Sequence, residues 1–298
     1  MIRSVFFSQG ILLSCLILAS FILVSCTGDG QDLAPESTSI SDAAVDSSLV
    51  PSSSTDQSGV AVPVSGGETA LIQIRVQSGF FAPGRPPEDL EANARRIPEQ
   101  VIAWAGITES MEVIDIASAG GYYAENLAWA VGLDGWVIAQ NTPAALERRD
   151  GANRIALEAR LADRRLPQLE TAELRFGQLA GSFDELQAAF MVNSIHDIYN
   201  FEGEAAAFEA LDAIYNILGP SGFLVLIDHR GSANNDNADL HRIDPAVITP
   251  LLELAGFIIT EESDLLANAD DDLSISVFDE SIRGNTDRFI IKAVKPAG

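Results

Sequence analysis

The stretch Val113-Ile-Asp-Ile-Ala-Ser-Ala-Gly-Gly-Tyr-Tyr123 decides the fold of this chain. Val113 to Ala117 reads as a short buried strand, and the apolar run from Tyr123 to Val131 reads as a helix. Between them stand the small residues Ser118, Ala119, Gly120 and Gly121, and then Tyr122. Small side chains at the carboxyl end of a strand let a ligand approach the backbone, and the helix start behind them offers free N–H groups. In open α/β sheets this end of the first strand borders the ligand crevice.

Working outward, short apolar runs alternate with helical segments. Further strands are expected at Trp136 to Gln140, Glu173 to Phe176, Ala188 to Val192, Phe223 to Asp228, Phe257 to Thr260 and Phe289 to Val294. Helices are expected at Pro143 to Ala162, Glu202 to Ile217 and Pro245 to Ala255. That alternation predicts βαβ units: an α/β domain with a doubly wound, mostly parallel seven-stranded sheet covered on both faces. No long crossover helix fits between the last two strands, so they should form a hairpin. Ahead of the first strand, Glu88 to Trp104 predicts one or two helices broken at Pro98. The stretch Ala70 to Phe81 shows strand-like alternation in Leu71, Ile72, Ile74 and Val76, ended by the prolines that follow.

Residues 1–26 read as an export signal: Arg3 precedes an apolar run from Val5 to Val24, followed by Leu23-Val24-Ser25-Cys26, which has the form of a lipobox. Cys26 is the expected lipid-attachment site, with an uncleaved anchor helix as the alternative. Either places the domain at the cell envelope on the periplasmic face, held to the membrane by its N-terminus. Thr27 in place of an aspartate favours the outer membrane. Residues 27–85, rich in Ser and Asp at their start, are expected to form a disordered tether, and 86–298 the folded domain. Both cysteines, Cys15 and Cys26, lie in the signal, which excludes thiol chemistry from the domain. With 43 acidic residues against 18 basic and a net charge of −25, a nucleic-acid partner is excluded as well.

The chain has three histidines, each beside an acid or an arginine: His196-Asp197, Asp228-His229-Arg230 and His241-Arg242. If His196 and His229 meet at the crevice, either could take a proton from an acceptor hydroxyl or amine, with Asp197 or Asp228 fixing the tautomer. His241 belongs to the same catalytic set. A metal site built from His196, Asp228, His229 and His241 lacks recognisable ligand spacing, so no metal is expected. A serine hydrolase lacks its Gly-x-Ser-x-Gly turn, and a Rossmann dehydrogenase lacks its third glycine. The acidic run Asn268 to Asp272 reads as a solvated loop.

Several of these motifs, in this order, resemble the class I S-adenosylmethionine-dependent methyltransferases, and within them bacterial predicted methyltransferases with export signals. The resemblance runs from about Asn93 to Pro296. It includes Arg96-Ile-Pro-Glu-Gln-Val, Asp115-Ile-Ala-Ser-Ala-Gly-Gly-Tyr-Tyr-Ala-Glu, Ala139-Gln-Asn141, Ile195-His-Asp-Ile-Tyr, Ile227-Asp-His-Arg, Leu240-His-Arg-Ile-Asp, Ala255-Gly-Phe and Arg283-Gly-Asn-Thr-Asp-Arg-Phe. It implies a Rossmann-like methyltransferase fold, S-adenosylmethionine as cofactor and a small-molecule acceptor. It further implies that Asp115 and the turn Ala117, Ser118, Ala119, Gly120 and Gly121 hold the methionine and ribose parts, with Tyr122 and Asn193 also in the cofactor site. Gln140 and Asn141 would face the ribose hydroxyls. Ala117 and Ala119 depart from the superfamily's glycines, and Gln140-Asn141 from its ribose-binding acid; an amide accepts only through its carbonyl. The cofactor is made in the cytoplasm, so export sets up a rival reading: a non-catalytic envelope lipoprotein that keeps this fold as a ligand- or partner-binding module.

Overall fold

The computed structural model describes residues 66–298. The expected signal, lipobox Cys26 and most of the expected tether lie outside the described residues. In chain order the elements are α1 Gly66–Ser78, α2 Glu88–Arg96, α3 Pro98–Ala105, β1 Glu112–Ile116, α4 Tyr122–Val131, β2 Trp136–Asn141, α5 Pro143–Leu161 and β3 Leu169–Glu173. There follow β4 Leu186–Val192, α6 Ile195–Asp197, α7 Glu204–Ile217, β5 Leu218–His229, α8 Asn237–Leu240, α9 Pro245–Leu254, β6 Ile258–Ser263 and β7 Arg288–Val294. Among the described residues no helix is long and apolar enough to cross a membrane.

The seven strands form one sheet in the order β3-β2-β1-β4-β5-β7-β6. The first five pair in parallel, whereas β7 runs antiparallel to both β5 and β6, which gives the expected terminal hairpin. Successive side chains of a strand point to opposite faces, and both faces are covered, so the central strands are apolar throughout. Val113 and Phe190 pack with α1, α3 and α4, while Ile114, Ile116 and Met191 pack with α7 and α9. The chain winds outward from β1 in one direction and from β4 in the other. The crevice at the carboxyl ends of these two strands is therefore the topological switch point.

Three expectations are corrected. The strand-like stretch near Ala70 is the helix α1, which buries Ile72 and Val76, four residues apart, and leaves Leu71 and Ile74 exposed. The spacing of the two buried residues, and not the alternation, marks the face that packs. Its packing on the domain puts folded structure ahead of the Pro86 boundary. The third strand is Leu169–Glu173, ahead of the expected Glu173 to Phe176, because Leu169 pairs with Val137 of β2 and Phe176 opens a 3₁₀ turn. This strand is an edge with one buried residue, so its apolar signal is weak. The acidic run is not wholly solvated: Asp271 is buried and receives both guanidinium nitrogens of buried Arg242, at 2.8 and 3.0 Å. That bidentate pair pins the long connection between β6 and β7 against the loop after β5.

Candidate functional site

At the switch point lies a cavity of about 350 Å³. Its walls include Asp115, Ala117, Ser118, Ala119, Gly120, Tyr122 and Asn193. The turn after β1 alternates its backbone: Ala117, Ala119 and Gly121 have φ of 52°, 50° and 81°. The left-handed region costs a residue with a Cβ about 1–2 kcal/mol, so the two alanines are strained where glycine would be free. Gly121 is favoured for a second reason, since a Cβ there would stand 2.7 Å from Leu157 Cδ2 and the leucine would have to shift.

The strained turn is held from behind. Gln140 Oε1 accepts from the Ala117 N–H at 3.0 Å, and Asn141 Oδ1 accepts from the Ala119 N–H at 2.9 Å. Their amide nitrogens donate to the Leu174 carbonyl and the Ser118 hydroxyl. Both side chains are buried and neither lines the cavity. The expected contact of Gln140 and Asn141 with ribose hydroxyls is thus replaced by bonds to the turn, whose exposed N–H groups take up both carbonyls. Gly121 likewise packs beneath the turn and does not line the cavity.

Asp115 is 2 % exposed, and its Oδ2 has no hydrogen-bond partner. Burial disfavours its charge and pushes its pKa up to about 7, against a backbone hydrogen bond from Ala124 and the charge of Arg96. Across the cavity a buried ionic network fixes the covering helices. Arg160 donates to Asp89 of α2 at 2.7 and 2.9 Å, to Glu125 of α4 at 2.6 Å and to the Gly120 carbonyl at 2.6 Å. Arg85 and Arg165 close the network on Asp89 and Glu125. Removing one member of such a cluster leaves a buried charge uncompensated, at about 3–5 kcal/mol.

All three histidines converge at the ends of β4 and β5. His196 is buried between two carboxylates, with Nδ1 2.7 Å from Asp228 and Nε2 3.1 Å from Asp197. Burial opposes its charge, but Asp228 and Asp197 outweigh this and raise its pKa to about 10. His196 is therefore an imidazolium at neutral pH and has no free site for a proton. Asp197 also accepts from His241 Nδ1 at 2.9 Å; although burial would raise it, the two histidines hold its pKa at about 2. The His241 ring stacks edge-on against Phe278 at 4.7 Å and lines neither cavity described here. His196, Asp197 and His241 bring ligand-type atoms within 4.8 Å of one another, and those atoms already bond to each other.

His229 differs. Its ring centroid is 5.8 Å from that of His196, its Nδ1 meets the Thr286 hydroxyl at 2.7 Å, and burial pushes its pKa down to about 3. It is a neutral imidazole lining a second cavity of about 410 Å³. Arg96 and Asn193 line both cavities, so the two adjoin. Asn193 sits at that junction with φ of 51° and a buried carbonyl oxygen without a partner. Asparagine tolerates that left-handed backbone, so the orphaned oxygen at the cavity junction is what makes Asn193 a candidate ligand contact.

No protein-family model and no curated protein sequence matches the chain. Solved structures do match. The [4+2]-cyclase SpnF superposes with a TM-score of 0.51 at 14% identity, over 80% of this chain and 99% of its own. A candidate methyltransferase in complex with the Haloferax volcanii Trm112 methyltransferase activator gives 0.50 at 16%, over 73% and 97%. An S-adenosylmethionine-dependent methyltransferase from Aquifex aeolicus gives 0.49 at 16%, over 66% and 88%. The chain has the Rossmann-like methyltransferase fold.

Two groups escape a reading of the sequence: the network of Arg85, Asp89, Glu125 and Arg160, and the arginines around the second cavity. The signal for the second is the run of cations at Arg95-Arg96 and at Arg283 and Arg288 in a strongly acidic chain.

Proposed function

We propose that this chain is an S-adenosylmethionine-dependent methyltransferase acting on a small acceptor. The observation that carries the reading is Asp115: a buried carboxyl with an unpartnered oxygen, lining the cavity at the carboxyl end of β1. An ammonium, such as that of the cofactor's methionine part, would satisfy that oxygen and lower the pKa again. The small residues of the turn support the fit, since Ala117 and Ala119 leave a cavity within the usual range of about 300–1,000 Å³. When bound, S-adenosylmethionine supplies an electrophilic methyl carbon that passes to an acceptor lone pair while the C–S bonding pair stays on sulfur, giving S-adenosylhomocysteine.

The chain's own residues would then divide the work. Ala117 to Gly121 presents backbone along the cavity, and Asp115 orients the ligand's cation. Asn193 offers its carbonyl oxygen to the acceptor's N–H or O–H at the junction of the two cavities. His229, neutral because burial disfavours its charge, accepts a hydrogen bond from the acceptor's O–H or N–H and orients its lone pair, and the proton released on methyl transfer passes to solvent; positioning supplies most of the remaining rate. His196, Asp197, Asp228 and His241 act through His229 and Asn193, holding the ends of β4 and β5 in place. The domain is exported and anchored to the membrane through Cys26.

Calorimetric titration of the chain with S-adenosylmethionine and S-adenosylhomocysteine tests the cofactor, and His229→Ala tests the residue that orients the acceptor. Micromolar binding is expected in both proteins, with methyl transfer lost only in the variant. No binding at millimolar ligand would favour a non-catalytic envelope module.

A further inference from the structure

The second cavity is lined by Arg95, Arg96, Arg149, Arg283 and Arg288, and by no carboxylate. In a chain with 43 acidic residues against 18 basic, that is the reverse of the composition. None of these five forms a salt bridge within 4.0 Å among the described residues, while Arg75, Arg85, Arg154, Arg160, Arg165, Arg230 and Arg242 all do. Arg288 is 6 % exposed, donates once to the Arg95 carbonyl at 2.6 Å, and leaves its Nε without a partner. Burial and, against the pull of Tyr123, the charges of Arg96 and Arg95 lower its pKa. Gathering like charges around a partly desolvated space is unfavourable until a counter-charge enters. Arg149 reaches the rim because α5 breaks there, with φ of 53° and 56° at Arg149 and Asp150.

We infer that the second cavity binds the acceptor, and that the acceptor is a small anion carrying a carboxylate or phosphate. This rests on the methyl-transfer reading and names its substrate class. Guanidinium forks match both groups in two-point geometry, and Arg96 joins this cavity to the crevice. With the anion among the arginines, the far end of the molecule lies toward Asn193 and His229, where its O–H or N–H would be methylated. Val277 and Phe278 supply an apolar wall for the body between.

The test uses the full chain and three probes: 4-hydroxybenzoate, inorganic phosphate, and phenol as the neutral control. Binding is read by calorimetry at low and high chloride, with S-adenosylmethionine binding read in parallel. Arg149→Gln with Arg283→Gln alters two exposed rim residues and leaves the core intact; Arg75→Gln, remote from the cavity, is the control. The expected result is that at least one anion binds, at least tenfold more weakly in the double variant and in high chloride. Arg75→Gln should be unchanged, and cofactor affinity should stay within twofold throughout. The stronger of the two anions identifies the group. Phenol binding as tightly as 4-hydroxybenzoate, or affinity indifferent to the double variant, would overturn the inference while leaving the methyltransferase reading in place. Anion binding in a chain that binds no S-adenosylmethionine would overturn that reading, and with it the acceptor role.

Discussion

Asp115→Asn should stabilise the free protein and at the same time abolish cofactor binding. In the folded chain burial raises the Asp115 pKa from 3.8 to about 7. The sign follows directly. Below pH 3.8 the group is protonated in both states and takes no part; between 3.8 and about 7 the unfolded chain ionises first, and stability falls as pH rises. Above pH 7 the loss is complete, and three units at about 1.4 kcal/mol each give roughly 4 kcal/mol. An asparagine of the same shape removes the ionisation but leaves a buried amide imperfectly paired, at about 1–3 kcal/mol. The net gain is about 1–3 kcal/mol at pH 8, or roughly 3–10 °C in Tm for a domain of this size. Thermal unfolding of parent and variant from pH 4 to 9 measures it, with titration by S-adenosylhomocysteine alongside. The variant should lie about 1–3 kcal/mol below the parent at pH 4, cross it between about pH 4.5 and 6 and run parallel above it beyond pH 7. A variant less stable than the parent at every pH, or one that keeps its affinity, would refute the reasoning.

The same strain argument predicts that Ala117→Gly and Ala119→Gly each raise stability by up to about 1 kcal/mol in chemical denaturation, because relief of the left-handed backbone exceeds glycine's entropy. Imidazole NMR should find His196 protonated beyond pH 8 and His229 neutral below pH 5. Because the folded His196 pKa is raised, its pairing stabilises fully below pH 6.5 and the benefit fades as pH rises through 10, so Asp228→Asn should cost more at pH 6 than at pH 10. Metabolic labelling with a palmitate analogue should mark the parent and not Cys26→Ser, and equal labelling would remove the lipid anchor.

Much of the fold is legible because buried parallel strands are continuous apolar runs: β1, β2, β4, β5 and β7 fall within two residues of their expected bounds, except for the longer start of β5. The strand β3 escaped for the opposite reason, being an edge with little to bury. At the site, the small-residue turn and the histidines were readable as types but not as states. The sequence sets Asp197 beside His196, but nothing local tells that a second carboxylate flanks His196 or that a threonine meets His229, since Asp228 and Thr286 arrive from separate segments. Gln140 and Asn141 were expected at the end of β2, facing ribose hydroxyls; their bonds to the turn were hidden because a strained backbone competes for their carbonyls. The arginine cavity draws on α2, the break in α5 and the connection before β7, a grouping that only the folded chain creates.

The orphaned polar atoms then make one argument. Four polar atoms of residues lining these two cavities are buried without partners: Asp115 Oδ2 and the Tyr123 hydroxyl in the crevice, Asn193 Oδ1 at the junction and Arg288 Nε in the arginine cavity. Each would cost about 1–3 kcal/mol if nothing met it. Their order matters as much as their number. An acceptor of positive charge lies on one side, a donor to negative charge on the other, and a neutral carbonyl between. A cationic donor molecule and an anionic recipient, meeting end to end at Asn193, would satisfy Asp115, Asn193 and Arg288 at once, whereas a single ligand of either charge would leave one end unmatched.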